Sequence, residues 1–341
     1  MFVSTHGLDD GTRSATVPTR GIVTISDAGF FPGALALVKS IRHNMQAAVT
    51  VLDQGLTPDQ VNELAALGVD VRHAPRCIPI DNERFGCCYA FFDIDAAPYD
   101  TILYIDADML VLEDISELFE VIEKKGVVSS GASPNKYLEN RHHLSSITGL
   151  IVGLGRKEFV ADFRREFGGV RGLLRQLLHD KVNTGIVGFR RDVLLTVKAR
   201  IPAYGKYFTR LKHPDQDLLS LVLADRGIRY HRLDYVYNAT RLHGNPQTTN
   251  RQRRWMRIFH ESSVVRFTEG RCAIVENRNR RGLQFNNTPI KALHYNSSEK
   301  PWIPGVTLRD GFKEIWEFYF RLAVPADGLP ARADSTDSGR S

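Results

Sequence analysis

The stretch Thr101-Ile-Leu-Tyr-Ile-Asp-Ala-Asp-Met-Leu-Val-Leu112 decides the fold class of this chain. Its first five residues are mostly apolar and favour β structure, so they predict a buried strand that ends at Ile105. Asp106 and Asp108 follow, separated by the small Ala107, and a second apolar run comes after them. Two carboxylates at the end of a buried strand suit a hard cation such as Mg²⁺ or Mn²⁺, which would in turn hold a diphosphate. The alternative is a turn that simply favours aspartate.

The segments around this stretch alternate between short apolar runs and amphipathic helices. Strand–helix alternation predicts an α/β fold, with a mostly parallel central sheet flanked by helices on both faces. In such sheets ligands bind beyond the carboxyl ends of the strands, where the two aspartates are expected. Thr57 and Asp114 are predicted helix N-caps. The predicted strands cover residues 21–25, 48–53, 69–72 and 101–105, and the predicted helices cover 30–45, 57–66 and 115–125.

Composition excludes several classes of protein. The chain has 341 residues, of which 43% are hydrophobic and 25% charged, as in globular domains with a large core. Its four cysteines lack the spacing of a zinc site and do not form a disulfide framework in a chain of this length. No apolar run reaches the ~18 residues that read as a membrane span, and the polar N-terminus lacks the apolar core of a signal peptide. We therefore expect a cytoplasmic protein.

Charge and order vary along the chain. Residues 251–281 hold nine Arg, no Lys and three Glu, so this Arg-rich stretch carries +6, which equals the net charge of the whole chain. Such a stretch can attract phosphates or an anionic surface, although a solvated loop or helix face is an equally good interpretation. Residues 1–19 and 326–341 are poor in core-forming residues and are predicted to be disordered. Residues 20–325 are predicted to form a single domain.

Several motifs together resemble a known family. The Asp-Ala-Asp segment resembles the Asp-x-Asp motif of nucleotide-sugar glycosyltransferases of the GT-A fold. Further segments resemble one branch of that fold, the glycogenin-like and lipopolysaccharide galactosyltransferase-like family of retaining enzymes (family 8-like). The resemblance implies a GT-A (Rossmann-like) nucleotide-sugar-binding fold, with residues 20–125 as the nucleotide-binding half and 126–325 as the acceptor-binding half. In chain order the matching segments are Thr24–Ser40, Asp106–Asp108, Asn183–Phe189, Asp215–Ser220, Tyr237–Asn238 and His294–Trp302.

The resemblance also implies a metal site. In the family the two Asp-x-Asp carboxylates and the His of the C-terminal motif bind the metal, which corresponds to Asp106, Asp108 and His294. Imidazole suits Mn²⁺ better than Mg²⁺, so we expect Mn²⁺, with Mg²⁺ as the alternative. A buried histidine bonded to the backbone is the structural alternative for His294. Lys300 is expected to contact the diphosphate as a compact charge.

Other motif positions are expected to bind the rest of the donor. Thr24, Ser26 and Asp27 are expected near the base and the ribose. Ala107 is expected to let a ligand approach closely. Arg84 is the nearest substitute for a basic residue that the family commonly has about one helix before Asp-x-Asp, where this chain has Ala90.

The sugar and the reacting centre involve a second group of positions. Asn183 and Gln216 are expected to hydrogen-bond sugar hydroxyls, and Gly185 to let the donor sugar approach the backbone. Asp215 is expected to position the sugar or the reacting centre, or else only to cap a helix. Retention of configuration is expected by front-side displacement, and a covalent intermediate on Asp215 or Asp217 is the alternative. The chain departs from the family at Ser297, where Gly is usual, and at Ser220, where Asn is usual.

These inferences predict a metal-dependent retaining glycosyltransferase that uses a UDP-sugar. The acceptor would be a saccharide, a lipid-linked saccharide or a small molecule, with possible anionic character and peripheral contact of the Arg-rich stretch with the inner membrane face. One alternative is a sugar-phosphate nucleotidyltransferase, although Ser26–Phe31 is not the Gly-rich phosphate loop such enzymes need. The other is an RNA-binding protein that uses the Arg-rich stretch, although no nucleic-acid-binding motif accompanies it and we expect no nucleic-acid partner.

Overall fold

A computed structural model describes most of the chain between its two ends. Arg84, Ser297, most of the Arg-rich stretch and nearly all of both predicted disordered ends lie outside the described residues. The domain limits therefore stay predictions. The described residues are 19–74, 90–131, 181–205, 213–240, 263–268, 270–277, 288–296, 299–308 and 311–324.

The first half of the central sheet is built from parallel strands. β1 (Arg20–Ser26) pairs with β2 (Ala48–Asp53) on one side and with β4 (Thr101–Ile105) on the other, and β3 (Asp70–His73) pairs with β2. Helix α1 (Phe31–Asn44) joins β1 to β2, and α2 (Pro58–Ala66) joins β2 to β3. Because the pairing is parallel, the carboxyl ends of all four strands lie at one edge of the sheet.

The second half of the sheet contains an antiparallel strand. After the short strand β5 (Met109–Val111) come helix α3 (Glu117–Lys125), β6 (Val127–Gly131), β7 (Val182–Arg190) and β8 (His231–Leu233). β7 lies between β4 and β6 and runs antiparallel to both, whereas β6 and β8 are parallel. The sheet order is β3-β2-β1-β4-β7-β6-β8. The expectation of a mostly parallel sheet is confirmed, with β7 as the exception.

Helices cover both faces of this sheet. Side chains alternate along β1, so that Ile22 joins the apolar cluster under α1 and α3, while Val23 and Ile25 join the cluster on the opposite face. That second cluster includes a 3-10 turn (Phe91–Ala96) and the helices α4 (Arg191–Lys198), α5 (Ile201–Gly205) and α6 (Pro214–Arg226). The predicted three-layer α/β arrangement is therefore confirmed.

Two small sheets and a last helix complete the described structure. β9 (Ala239–Thr240), β10 (Ser263–Thr268), β11 (Arg271–Asn277), β12 (Thr288–Pro289) and β13 (Ala292–His294) follow in chain order. One small sheet has the order β10-β11-β12 and the other the order β5-β13-β9. Helix α7 (Phe312–Arg321) packs against α1. The sheet β5-β13-β9 thus ties a late strand to the segment that follows Asp108.

The helix starts agree with the sequence in one case and differ in two. Thr57 caps α2: its hydroxyl accepts from the backbone of Gln60, whose side chain accepts in return from the Thr57 backbone. Asp114 does not cap α3, because its carboxylate accepts from Ser116, the residue at the cap position. Asp215 is not an N-cap either, since α6 starts at Pro214 and places Asp215 within its first turn.

In the part of the chain that the structure describes, no helix combines the length and apolarity needed to cross a bilayer.

Candidate metal and donor site

Three side chains with metal-binding atoms converge at the carboxyl end of β4. One ligand atom from each of Asp106, Asp108 and His294 lies within 4.8 Å of the others. His294 Nε2 is 3.1 Å from Asp108 Oδ1 and 3.7 Å from Asp106 Oδ2. The small sheet brings them together, because β13 places His294 opposite Met109 and the N–H of Tyr295 donates to the carbonyl of Asp108 (2.9 Å).

The chemistry of these donors fits a divalent cation. Among the described residues, none gives the buried Asp108 Oδ1 a hydrogen bond of good geometry, although the His294 ring nitrogen lies at ion-pair distance. A buried carboxylate oxygen without a hydrogen bond is costly unless another positive partner satisfies it. Two carboxylates and one imidazole also form a mixed oxygen and nitrogen set that Mn²⁺ accepts. The structure therefore holds a candidate metal site.

The two aspartates differ in electrostatic environment. Burial and the neighbouring Asp108 charge raise the pKa of Asp106 above its ordinary value, and the Tyr104 hydroxyl, which donates to Asp106 Oδ1 (2.6 Å), counteracts this only in part. Burial would also raise the pKa of Asp108, but His294 in its protonated form and Lys300 together outweigh it and hold that pKa below its usual range. The two carboxylates repel each other unless a positive charge, such as that of a bound cation, lies close by.

Lys300 lies at the rim of this site. Its ammonium group donates to Asp108 Oδ2 and to the carbonyl of Tyr295 (2.6 Å), and it lies 5.8 Å from the centroid of the Phe30 ring. Phe30 is 37% exposed and makes an edge contact with Trp302. An ammonium group and an exposed ring therefore flank the carboxylates on the side of β1.

A buried polar network lies behind the ring of His294. Asn238 Nδ2 donates to Asn183 Oδ1 (2.8 Å) and to the Ser130 hydroxyl (2.5 Å), while its Oδ1 lies 2.8 Å from His294 Nδ1. The N–H of Gly185 donates to Asn183 Oδ1 (2.9 Å). The space that a Cβ on Gly185 would need is filled by the His294 ring.

The start of α6 carries the predicted acidic motif. The Thr184 hydroxyl donates to Asp215, and burial raises the pKa of Asp215. Asp217 is buried and ion-paired with the equally buried Lys181, and it accepts from the N–H of His213 (3.1 Å). The Ser220 hydroxyl donates to the Gln216 carbonyl (2.7 Å) and accepts from the N–H of Val182 (3.2 Å), so it joins α6 to β7.

Two of the residues that are expected near the base and the ribose have buried side chains. The side chains of Thr24 and Ser26 are completely buried, and the Thr24 hydroxyl has no hydrogen-bond partner in the part of the chain that the structure describes. Asp27 accepts from the N–H of Phe30 (2.9 Å) and so shapes the turn into α1. Ala107 is buried, and its carbonyl packs closely against Gly33. Arg84 lies outside the described residues.

With this geometry in view, the comparison of the sequence with known families can be reported. Residues 21–150 match the family model described as glycosyl transferase family 8. Residues 21–150 are similar to family 8 glycosyltransferases. The expected family resemblance is thereby confirmed. No curated protein sequence matches the chain.

Solved structures support the same fold for this chain. The galactosyltransferase LgtC, solved with donor and acceptor sugar analogues, is 18% identical with a TM-score of 0.52, and the match covers 88% of this chain and 95% of LgtC. GlyE from Streptococcus pneumoniae TIGR4 is 16% identical with a TM-score of 0.53, covering 89% of this chain. WbbM, a bifunctional glycosyltransferase, is 16% identical with a TM-score of 0.54, covering 94%. The chain spans only 62% of GlyE and 52% of WbbM. At these identities the likeness concerns the fold, and the predicted GT-A fold is confirmed.

Sequence reasoning left out several residues that border the candidate site. Asn238 was part of a motif without an assigned role, and Phe30 was treated only as the start of a helix. Tyr104 was counted only as a strand residue, although its hydroxyl donates to Asp106. The one available signal for Asn238 was its place directly after Tyr237 in a recurring motif.

Proposed function

We propose that this protein is a metal-dependent, retaining glycosyltransferase that transfers a sugar from a UDP-sugar to an acceptor hydroxyl. The observation that carries the proposal is the convergence of Asp106, Asp108 and His294 at the carboxyl end of β4. This is the edge at which α/β sheets bind ligands. The family 8 match over residues 21–150 and the GT-A fold support the reaction class.

The three converging side chains would hold Mn²⁺, with Mg²⁺ as the alternative ion. When bound, a divalent cation would act as a Lewis acid that stabilises negative charge on the leaving diphosphate. Lys300 would add a second positive charge toward the diphosphate once that group competes for it with Asp108. The exposed ring of Phe30, next to Lys300, would offer an apolar face to the base.

The donor sugar would bind between β7 and the start of α6. The amide oxygen of Asn183 is used internally, so this residue would offer its Nδ2 hydrogens to a sugar oxygen. Gln216 and Asp215 would orient the sugar from the first turn of α6. Asp217 is a poor candidate for a nucleophile, because it is buried in an ion pair with Lys181. Front-side displacement therefore remains the proposed mechanism. For the alternative mechanism through a covalent intermediate, Asp215 is the better candidate nucleophile.

The acceptor is proposed on charge alone. A phosphorylated or lipid-linked saccharide would suit the Arg-rich stretch and would place the protein in the cytoplasm, in peripheral contact with the inner membrane face. A small-molecule acceptor would suit the site equally. Exchanging Arg253 and Arg254 for Glu tests the charge: unchanged transfer to the true acceptor would remove this part of the proposal.

Neither alternative function gains support. The loop after β1 is Asp-Ala-Gly-Phe, without the basic residue that a nucleotidyltransferase loop would carry. The Arg-rich stretch on which RNA binding would depend lies mostly outside the described residues.

Donor hydrolysis tests the proposal without knowledge of the acceptor. The protein is incubated with UDP-glucose, UDP-galactose, UDP-N-acetylglucosamine or GDP-mannose, with and without Mn²⁺, and release of nucleoside diphosphate is followed. We expect Mn²⁺-dependent release from one UDP-sugar and its loss in Asp108→Ala and His294→Ala. Asp192→Ala, which removes an exposed carboxylate paired with Arg190, is the control and should keep the activity. Calorimetry that detects no binding of any donor or UDP with Mn²⁺ would sink the proposal.

A further inference from the structure

A chain of hydrogen bonds runs from the backbone of β7 to the ring of His294. It starts at the N–H of Gly185, which donates to Asn183 Oδ1 (2.9 Å). Asn238 Nδ2 donates to the same oxygen (2.8 Å), and Asn238 Oδ1 lies 2.8 Å from His294 Nδ1. These four residues form one continuous chain of hydrogen bonds, which is called the relay below.

The direction of every bond in the relay follows from its first donor. Side-chain amides can ordinarily be turned by 180°, but a backbone N–H can only donate. The atom of Asn183 that faces Gly185 must therefore be the oxygen. That oxygen needs a donor from Asn238, so Asn238 presents Nδ2 to it and Oδ1 to His294. An oxygen facing Nδ1 requires that His294 carries a hydrogen on Nδ1.

The consequence lies on the other side of the ring. In a neutral imidazole with its hydrogen on Nδ1, Nε2 has a free lone pair. Nε2 is the atom that faces Asp108 Oδ1 at 3.1 Å and Asp106 Oδ2 at 3.7 Å. A lone pair directed at two carboxylates is unfavourable by itself and favourable when a cation lies between them. We propose that Asn238 is a positioning residue that holds His294 in the Nδ1–H tautomer and so keeps Nε2 available to the divalent cation of the proposed glycosyltransferase, on whose metal dependence this inference rests.

The surroundings keep this relay in one arrangement. Asn238 is 3% exposed and His294 is 4% exposed, so water does not replace either partner. The Ser130 hydroxyl takes a further hydrogen bond from Asn238 Nδ2 (2.5 Å), but a hydroxyl can donate as well as accept, so this contact does not decide which way the amide faces. Ser130 lies at the irregularity in the β6–β7 pairing, which sets it opposite Asn183. The polar network thus orients a metal ligand, as outer partners of histidine ligands commonly do.

The relay is tested by metal binding rather than by turnover. Free Mn²⁺ is measured by electron paramagnetic resonance during titration of the full chain, and Mg²⁺ is then added as a competitor. Asn238→Leu keeps the size of the side chain and removes both bonds, whereas Asn238→Asp keeps an acceptor for Nδ1. Ser130→Ala is the control that leaves the relay intact, and His294→Ala gives the metal preference without an imidazole.

We expect Asn238→Leu to lose about 10- to 100-fold in Mn²⁺ affinity. Its preference for Mn²⁺ over Mg²⁺ should fall to that of His294→Ala, because imidazole is the ligand that favours Mn²⁺. Asn238→Asp and Ser130→Ala should keep the preference of the unmodified protein. A purely structural role of Asn238 would lower the melting temperature and leave the preference unchanged.

The outcomes separate this inference from the proposed function. If the unmodified protein binds no Mn²⁺, with or without UDP, the proposed metal site fails and the relay fails with it. If it binds Mn²⁺ and Asn238→Leu binds with equal affinity and preference, only the relay is overturned. Should Asn238→Leu not fold, Asn238→Asp decides alone, since a preference as low as that of His294→Ala would contradict the relay.

Discussion

Gly185 lies flat against the ring of His294: a Cβ on this glycine would be 2.5 Å from both Cε1 and Nδ1 of the histidine. Because the ring is buried and hydrogen-bonded to Asn238, it cannot move aside without leaving its place beside the aspartates. We expect Gly185→Ala to reduce Mn²⁺ affinity by about tenfold or more. Paramagnetic resonance titration of Mn²⁺ measures the change.

Gly188 on the same strand is the matched control. A Cβ there would meet Ile122 at 2.3 Å, so Gly188→Ala should cost stability within the apolar core. It should leave Mn²⁺ affinity within about threefold of the unmodified protein, because it contacts no ligand. If Gly185→Ala and Gly188→Ala bind Mn²⁺ equally well, the close packing of Gly185 on His294 has no role in the site.

Lys300 should weaken the binding of the cation and strengthen the binding of the diphosphate. Its ammonium group contacts Asp108, one of the proposed ligands, so it repels a cation bound there. Lys300→Met should therefore raise the affinity for Mn²⁺ alone. The same variant should lower the affinity for UDP in the presence of Mn²⁺ by about 10- to 150-fold, since a charge-assisted hydrogen bond contributes ~1.5–3 kcal/mol. Calorimetric titrations with Mn²⁺ and then UDP measure both. A change of the same sign in both titrations would contradict this role.

The buried pair of Lys181 and Asp217 should matter for stability. Asp217→Asn leaves a buried ammonium group without its carboxylate, which costs ~3–5 kcal/mol. The double variant Lys181→Met, Asp217→Leu should recover most of that loss and should still hydrolyse donor, because Asp217 is proposed to have no part in the chemistry. Urea unfolding and donor hydrolysis test these points. Donor hydrolysis abolished in a stable double variant would return Asp217 to the list of candidate nucleophiles.

Phe30 should contribute to donor binding through its ring. It is an exposed aromatic residue beside Lys300, at the edge of the sheet where ligands bind. Phe30→Ala should weaken binding of UDP by ~1–3 kcal/mol, the usual range for a base stacked on an aromatic ring. Phe30→Tyr keeps the ring and should bind UDP as well as the unmodified protein does. Calorimetry decides, and unchanged binding in Phe30→Ala would exclude the ring as a platform.

The parts of the fold that local patterns control could be predicted from the sequence. β2 and β4 begin and end where the apolar runs do, and α2 starts at Thr57 because a capping box satisfies its first amides. The prediction of Asp114 as the N-cap of α3 was wrong. A short acidic side chain can accept a hydrogen bond from the backbone two residues further on without being the cap residue itself. The antiparallel direction of β7 was not predicted, because an apolar run carries no information on strand direction.

The candidate site was predictable in its residue types but not in its contacts. Asp106 and Asp108 are separated by one residue at the end of the same strand, so the local sequence already placed them close together. The contacts of Asn238 with Asn183 and His294 cross 55 and 56 positions, and they depend on the register of β13 against β5 and β9. The contact between Gly185 and the His294 ring could not be predicted either, because only the packing shows which ring fills the space beside a glycine.

The small sheet that carries His294 also sets an order of events during protein synthesis. Lys300 follows Asp108 by 192 positions, so a translating ribosome needs roughly 10–40 s to pass from one to the other. Until His294 is synthesised, six residues before Lys300, the nascent chain carries two carboxylates with neither the imidazole nor the ammonium group that completes their surroundings. Selective loading of the proposed metal would therefore be a late step of biogenesis, reached only after β13 has paired with β5.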